Sequence, residues 1–165
     1  LDLSAAASGQ IKFPASQNAS ANDNTLDDYE EGTASIVMKD SAGNSATMGS
    51  GNVFRYTKIG NVVTLSGTLD WTSTAALAGG SRIRIYGLPY NIKNVSGYRA
   101  PAVIGSSASG SFNITRSAIA FGGDWGNDFL FGANITGNNV DGDLVKADIG
   151  NAGTMFGLNV TYHTD

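Results

Sequence analysis

The sequence predicts an all-β fold: a jelly-roll-like antiparallel β-sandwich preceded by an extended N-terminal arm. Three observations predict it. Gly, Ser, Asn and Thr fill 67 of the 165 positions, and these residues favour turns and rank low as helix formers. Beyond Thr33, apolar residues recur with period two in short runs, the pattern of half-buried strands. Turn residues separate those runs every ~8–12 positions, the spacing expected of sandwiches and barrels.

The arm, residues 1–32, comes first. Its larger apolar side chains are Leu1, Leu3, Ile11, Phe13, Leu26 and Tyr29. They are too few for a core of their own, so the arm is expected to lie against something else. Asp27, Asp28, Glu30 and Glu31 crowd its end, and Gly32 closes it.

Residues 33–165 form the second unit. Segments 53–59 and 61–71 read as the strands of a hairpin turned at Gly60-Asn61. In the second of them, Val63, Leu65, Gly67, Leu69 and Trp71 share the face predicted to point into the core, while Thr64, Ser66, Thr68 and Asp70 face outward. Segment 82–86 turns Ile83 and Ile85 inward and its arginines outward, then stops at Gly87-Leu88-Pro89. Shorter strands are expected over 100–104, 111–115, 118–121 and 128–133. Residues 138–143, rich in Asn, Asp and Gly, read as a turn, and 144–149 as one helical turn. The final strand, 154–162, is expected to place Phe156, Leu158, Val160 and Tyr162 on one face. No 20–50-residue repeat occurs, which argues against a solenoid or propeller.

Composition narrows the function. Hydrophobic residues at 41% and only 3 Pro argue against a disordered chain. The absence of Cys removes disulfide scaffolds, thiol nucleophiles and Cys-ligated zinc. A net charge of −4 argues against a nucleic-acid partner held on a basic surface, and no apolar run is long enough to insert in a membrane as a helix. Charged residues are 15%, against about 25% in an average soluble domain. That surface of small polar residues reads as an extracellular or virion protein. The chain opens on Leu1 rather than Met and is expected to be a piece of a longer polypeptide.

Catalytic and metal chemistry find little support. His163 is the one histidine, and no G-x-S-x-G elbow accompanies it. The acid cluster at 27–31 has the residue types of a calcium site or a glycosidase pair; hydrogen bonding or ion pairing at the end of the arm is the preferred reading. Asp141-Gly142-Asp143 lacks the spacing and terminal Glu of an EF-hand loop. No catalytic residue, metal or cofactor is therefore expected. The segment Gly122-Gly123-Asp124-Trp125-Gly126-Asn127-Asp128 is different. A Trp among turn formers is hard to bury; Trp125 offers a flat face to sugar C–H groups, with Asp124, Asn127 and Asp128 as hydroxyl partners. Tyr90 and Tyr98, in the loops after Gly87-Leu88-Pro89, are further candidate contacts.

Four strings occur in order: Ile11-Lys12-Phe13-Pro14-Ala15-Ser16-Gln17, Asn24-Thr25-Leu26-Asp27-Asp28-Tyr29-Glu30-Glu31-Gly32, Tyr56-Thr57-Lys58-Ile59-Gly60-Asn61 and Gly87-Leu88-Pro89-Tyr90. Over residues 11–90 the chain resembles the C-terminal domain of bacteriophage tail fibres and tailspikes. There, a linker of this kind leaves a fibrous or β-helical shaft, and the two later strings mark strands of a β-sandwich. The resemblance implies a non-enzymatic homotrimer at the distal tip of a virion fibre, binding a bacterial surface glycan such as lipopolysaccharide or capsule. It also implies that Ile11, Phe13, Leu26, Asp27, Asp28, Tyr29, Glu30 and Glu31 form the linker and trimer interface. A purely structural cap is the alternative, and a glycan-degrading enzyme the more remote one.

Overall fold

The computed structural model describes residues 16, 26, 28–93, 100–103, 105–108, 118–122, 129–135, 139–143 and 145–164. These residues are mostly antiparallel β-structure. The strands are β1 (Tyr29–Ala34), β2 (Val37–Asp40), β3 (Thr47–Met48), β4 (Val53–Ile59), β5 (Val62–Ser73), β6 (Ile83–Tyr86), β7 (Pro101–Val103), β8 (Ser106–Ser107), β9 (Ala118–Gly122), β10 (Phe129–Ile135), β11 (Asn139–Asp143) and β12 (Gly153–His163). One 3₁₀ turn, Lys146–Asp148, falls in the segment expected to turn, and there is no α-helix among the described residues.

Hydrogen bonds run along one path, β1-β4-β5-β12-β7-β9-β10-β6-β2, with β3, β8 and β11 attached at its sides. Its two end strands, β1 and β2, are separated in sequence only by Ser35 and Ile36, so the sheet must curl until its ends approach each other. Cross-links between the ends agree: Asn52 Nδ2 donates to the Ile36 carbonyl at 2.6 Å, and Tyr90, beyond β6, reaches Glu30 on β1.

The curl encloses a single core. Val63, Leu65, Leu69 and Trp71 of β5 are all at most 2% exposed, while Thr64 and Ser66 are exposed, as the alternation predicts. The Trp71 indole donates to the Gly150 carbonyl at 3.0 Å, which satisfies its one polar atom. Ile83 and Ile85 also point inward. Beneath them Asp40 is fully buried. Its carboxylate accepts from the backbone of Ala42 and Asn44, the Asn44 amide and the Ala78 backbone, at 2.7–2.9 Å. Burial pushes the Asp40 carboxyl up, but the bonds from Ala78, Asn44 and Ala42 outweigh it and hold the group below its ordinary value.

Three expectations change. In β12, Leu158, Val160 and Tyr162 are buried but Phe156 is 47% exposed, and Met155 takes its place in the core. The pairing with β5 slips between Met155 and Leu158, and that bulge reverses the inside–outside parity of everything before it. The expected turn at 138–143 contains β11, paired with β10, so partner hydrogen bonds override the turn-forming composition there. The expected end of the arm at Gly32 lies inside β1: Tyr29–Gly32 pair with Ile59–Tyr56. The strand expected over 111–115 lies outside the described residues.

Candidate functional site

Residues 28–32, 56–60 and 90, far apart in the sequence, meet at one place. Strand β4 alternates so that Phe54, Tyr56 and Lys58 point inward, opposite Ala34, Gly32 and Glu30 of β1. Lys58 is only 3% exposed, and its ammonium forms an ion pair with the 1%-exposed Asp28. The Gly60 amide donates to the Asp28 carbonyl at 3.0 Å, fixing the backbone beside the pair. Gly32 lies so near Tyr56 that a Cβ there would come within 2.7 Å of the ring.

Tyr90 seals this cluster. Its hydroxyl donates to the Glu30 carboxylate, its ring packs edge-on against Tyr56 at 5.7 Å and 79°, and the Lys58 ammonium lies 5.2 Å from its centroid. Tyr162 of β12 donates to the Tyr90 carbonyl at 3.1 Å. Burial, and then the Glu30 carboxylate, push the Tyr90 hydroxyl well above the ordinary tyrosine range. Burial also pushes Tyr162 up. The arrangement fastens Asp28 and β1 to β4, β12 and the segment after β6. An ion pair this deep recovers its desolvation cost only when its geometry is held.

The opposite face of the same strands is a second surface. Register pairs it in rows: Tyr29, Ile59, Val62 and His163; Glu31, Thr57, Thr64 and Thr161; Thr33, Arg55, Ser66, Asn159 and Val103. Val53 and Thr68 continue it toward Phe156. Tyr29, Val53, Ile59, Val103 and Phe156 are 40–64% exposed. Thr64 and Thr161 lie within 3.3 Å through their hydroxyls. A shallow groove of about 380 Å³ lies beside Glu31, Thr33, Arg55 and Thr57.

Compared with protein-family models and with curated proteins, the chain matches none.

The structure distributes the expected site residues unevenly. Asp28 and Glu30 are partnered within the chain, by Lys58 and Tyr90, while Glu31 is exposed and accepts the Tyr29 hydroxyl at 2.5 Å. Leu26 is exposed at 56%. Tyr90 is half-buried, and its hydroxyl donates to the Glu30 carboxylate. Ile11, Phe13, Asp27, Tyr98, Asp124, Trp125, Asn127 and Asp128 lie outside the described residues. Strands β9 and β10, which bracket the Trp125 segment, are paired, with Gly122 opposite Phe129. Among the described residues no cluster of three or more His, Asp or Glu side chains is arranged to hold a metal. His163 is exposed at the end of β12. Lys58 is the residue that sequence reading missed, although it shares the inward parity of Phe54 and Tyr56.

Proposed function

We propose that this chain is the distal module of a bacteriophage tail fibre or tailspike, a jelly-roll-like β-sandwich that caps and trimerises the fibre and binds a bacterial surface polysaccharide without cleaving it. One observation carries the reading. The strings behind the family resemblance, from the acidic linker, the Tyr56–Asn61 segment and the turn at Gly87-Leu88-Pro89-Tyr90, converge on one buried network that docks an incoming connector. A module fastened to a shaft needs such a joint. The approach of β1 to β2 supports a two-layered arrangement of the sheet around its core.

Glycan recognition belongs to the Trp125 segment, between β9 and β10. A glycan array and binding of the labelled domain to host cells test it, with Trp125→Ala as the discriminating variant. Loss of binding with melting changed by no more than about 0.5 kcal/mol supports a sugar platform. Full binding by the stable variant removes it. The engaged hydroxyl of Tyr90 favours a second reading, a structural cap without receptor affinity, for the latch formed by Asp28, Lys58, Glu30 and Tyr90. Absence of any cell binding by the intact chain selects that reading.

A further inference from the structure

We propose that copies of this chain meet through the outer face of β1, β4, β5, β12 and β7, with the β1 margin nearest the shared axis. The inference rests on the trimeric reading above and names the surface that would build it.

Four observations converge on this face. The first is where the exposed apolar side chains fall. Tyr29, Val53, Ile59, Val103 and Phe156 all lie on the outward side of these strands, and Leu26 immediately precedes β1. Single exposed apolar residues are ordinary, but their collection on one face is not.

The second is what fills the space between them. Thr57, Thr64, Thr161, Ser66, Thr68 and Asn159 are short and uncharged. A solvated sheet face usually carries Lys and Glu, whereas the centre of an interface is depleted of charge.

The third is the placement of charge. Glu31 and Arg55 both lie at the β1–β4 margin, one row apart. Copies gathered around an axis at that margin bring Glu31 of one against Arg55 of the next, a pairing of opposite sign.

The fourth is continuity with the connector. Asp28 is pinned to Lys58 at the start of β1, so chains that arrive side by side from a shaft are each delivered at this margin. Five strands at ~4.8 Å and about seven residues at ~3.4 Å give at most about 500 Å² in plan, which just meets the lower bound of about 1,000 Å² in total for a specific interface.

The test uses the full chain. Thr33 is exposed on the outward side of β1, the margin nearest the axis, so Thr33→Glu places three acids together if the face is shared. Light scattering should fall from three protomers to one of 17.0 kDa, with an unchanged circular dichroism spectrum, while Ala76→Glu on an exposed loop stays assembled. Because the chain has no cysteine, Thr33→Cys gives a clean cross-linking site. A short bismaleimide should yield covalent multimers from it and none from Ala76→Cys, which decides the matter even if Thr33→Glu fails to fold. A trimeric wild type with a trimeric Thr33→Glu and no Thr33→Cys cross-links overturns this face but leaves the trimer standing. A wild type of one protomer overturns the trimer itself, and this inference with it.

Discussion

Replacing Lys58 by Met keeps most of the length and apolar stem of the side chain but deletes the ammonium. The Asp28 carboxylate, 1% exposed, then stays buried without its counter-charge, and the cation over the Tyr90 ring is lost as well. Breaking one side of a buried pair costs about 3–5 kcal/mol, a large share of the ~5–15 kcal/mol that holds a typical domain. The edge position of β1 limits how that cost appears. If peeling β1 away from β4 is cheaper than hydrating Asp28 in place, only the connector and β1 release. Urea unfolding followed by circular dichroism reads the global part, and native-state hydrogen exchange of the amides of residues 29–34 reads the local part. Lys58→Met should lower the unfolding free energy by about 3 kcal/mol or more, or else strip protection from β1 while β5 and β12 keep theirs. Asp28→Leu combined with Lys58→Met removes both charges and should recover most of the loss. An unchanged Lys58→Met in both measurements, or a double variant as damaged as the single one, would refute the buried-pair argument.

Four further outcomes are expected. Asp40→Ala leaves the donors of Ala42, Asn44 and Ala78 unsatisfied and should cost about 2–4 kcal/mol in a urea melt. Since the folded carboxyl of Asp40 sits below its ordinary 3.8, its contribution is present above that pH and lost as pH falls through the folded value. Asp40→Asn should therefore flatten the acid limb of stability against pH. Tyr90 and Tyr162 are raised above 10, so their contribution is whole below pH 10 and lost as pH climbs through their folded values. Tyr90→Phe should accordingly soften alkaline unfolding, read by ultraviolet titration of tyrosinate. Gly87 has φ +96° and an added Cβ would stand 2.1 Å from the Ser35 carbonyl oxygen, so Gly87→Ala should cost more than about 2 kcal/mol in a thermal melt.

Local alternation made β5 and β6 legible because each strand meets the core on one side and water on the other. The same reasoning failed at Phe156, since a bulge leaves no mark in hydrophobic periodicity. Strand β11 was hidden by composition: Asn139-Val140-Asp141-Gly142-Asp143 has the residues of a turn and is held as a strand by β10. At the latch, each acid of the linker looked solvated when read alone. The information lay in a pair: Lys58 stands at an inward position of β4 and needs an anion, which Asp28 supplies. Pairing across about 30 residues is invisible to a reading that takes segments one at a time. The outer face was half visible, because Thr64, Ser66 and Thr68 were expected outward. That they join Thr57 and Thr161 in one field required the strand order.

Strand order also bears on how the chain comes off a ribosome. The longest ladder joins β5 to β12, with Val62 opposite His163, so the centre of the sheet pairs residues about 100 positions apart. Until residue 163 has emerged, β5 is paired only with β3 and β4, and the edge that β12 will fill waits without its ladder partner. Such late closure makes for slow maturation and a nascent chain prone to sticking. A stop codon placed just before β12 should therefore yield insoluble product rather than a smaller domain.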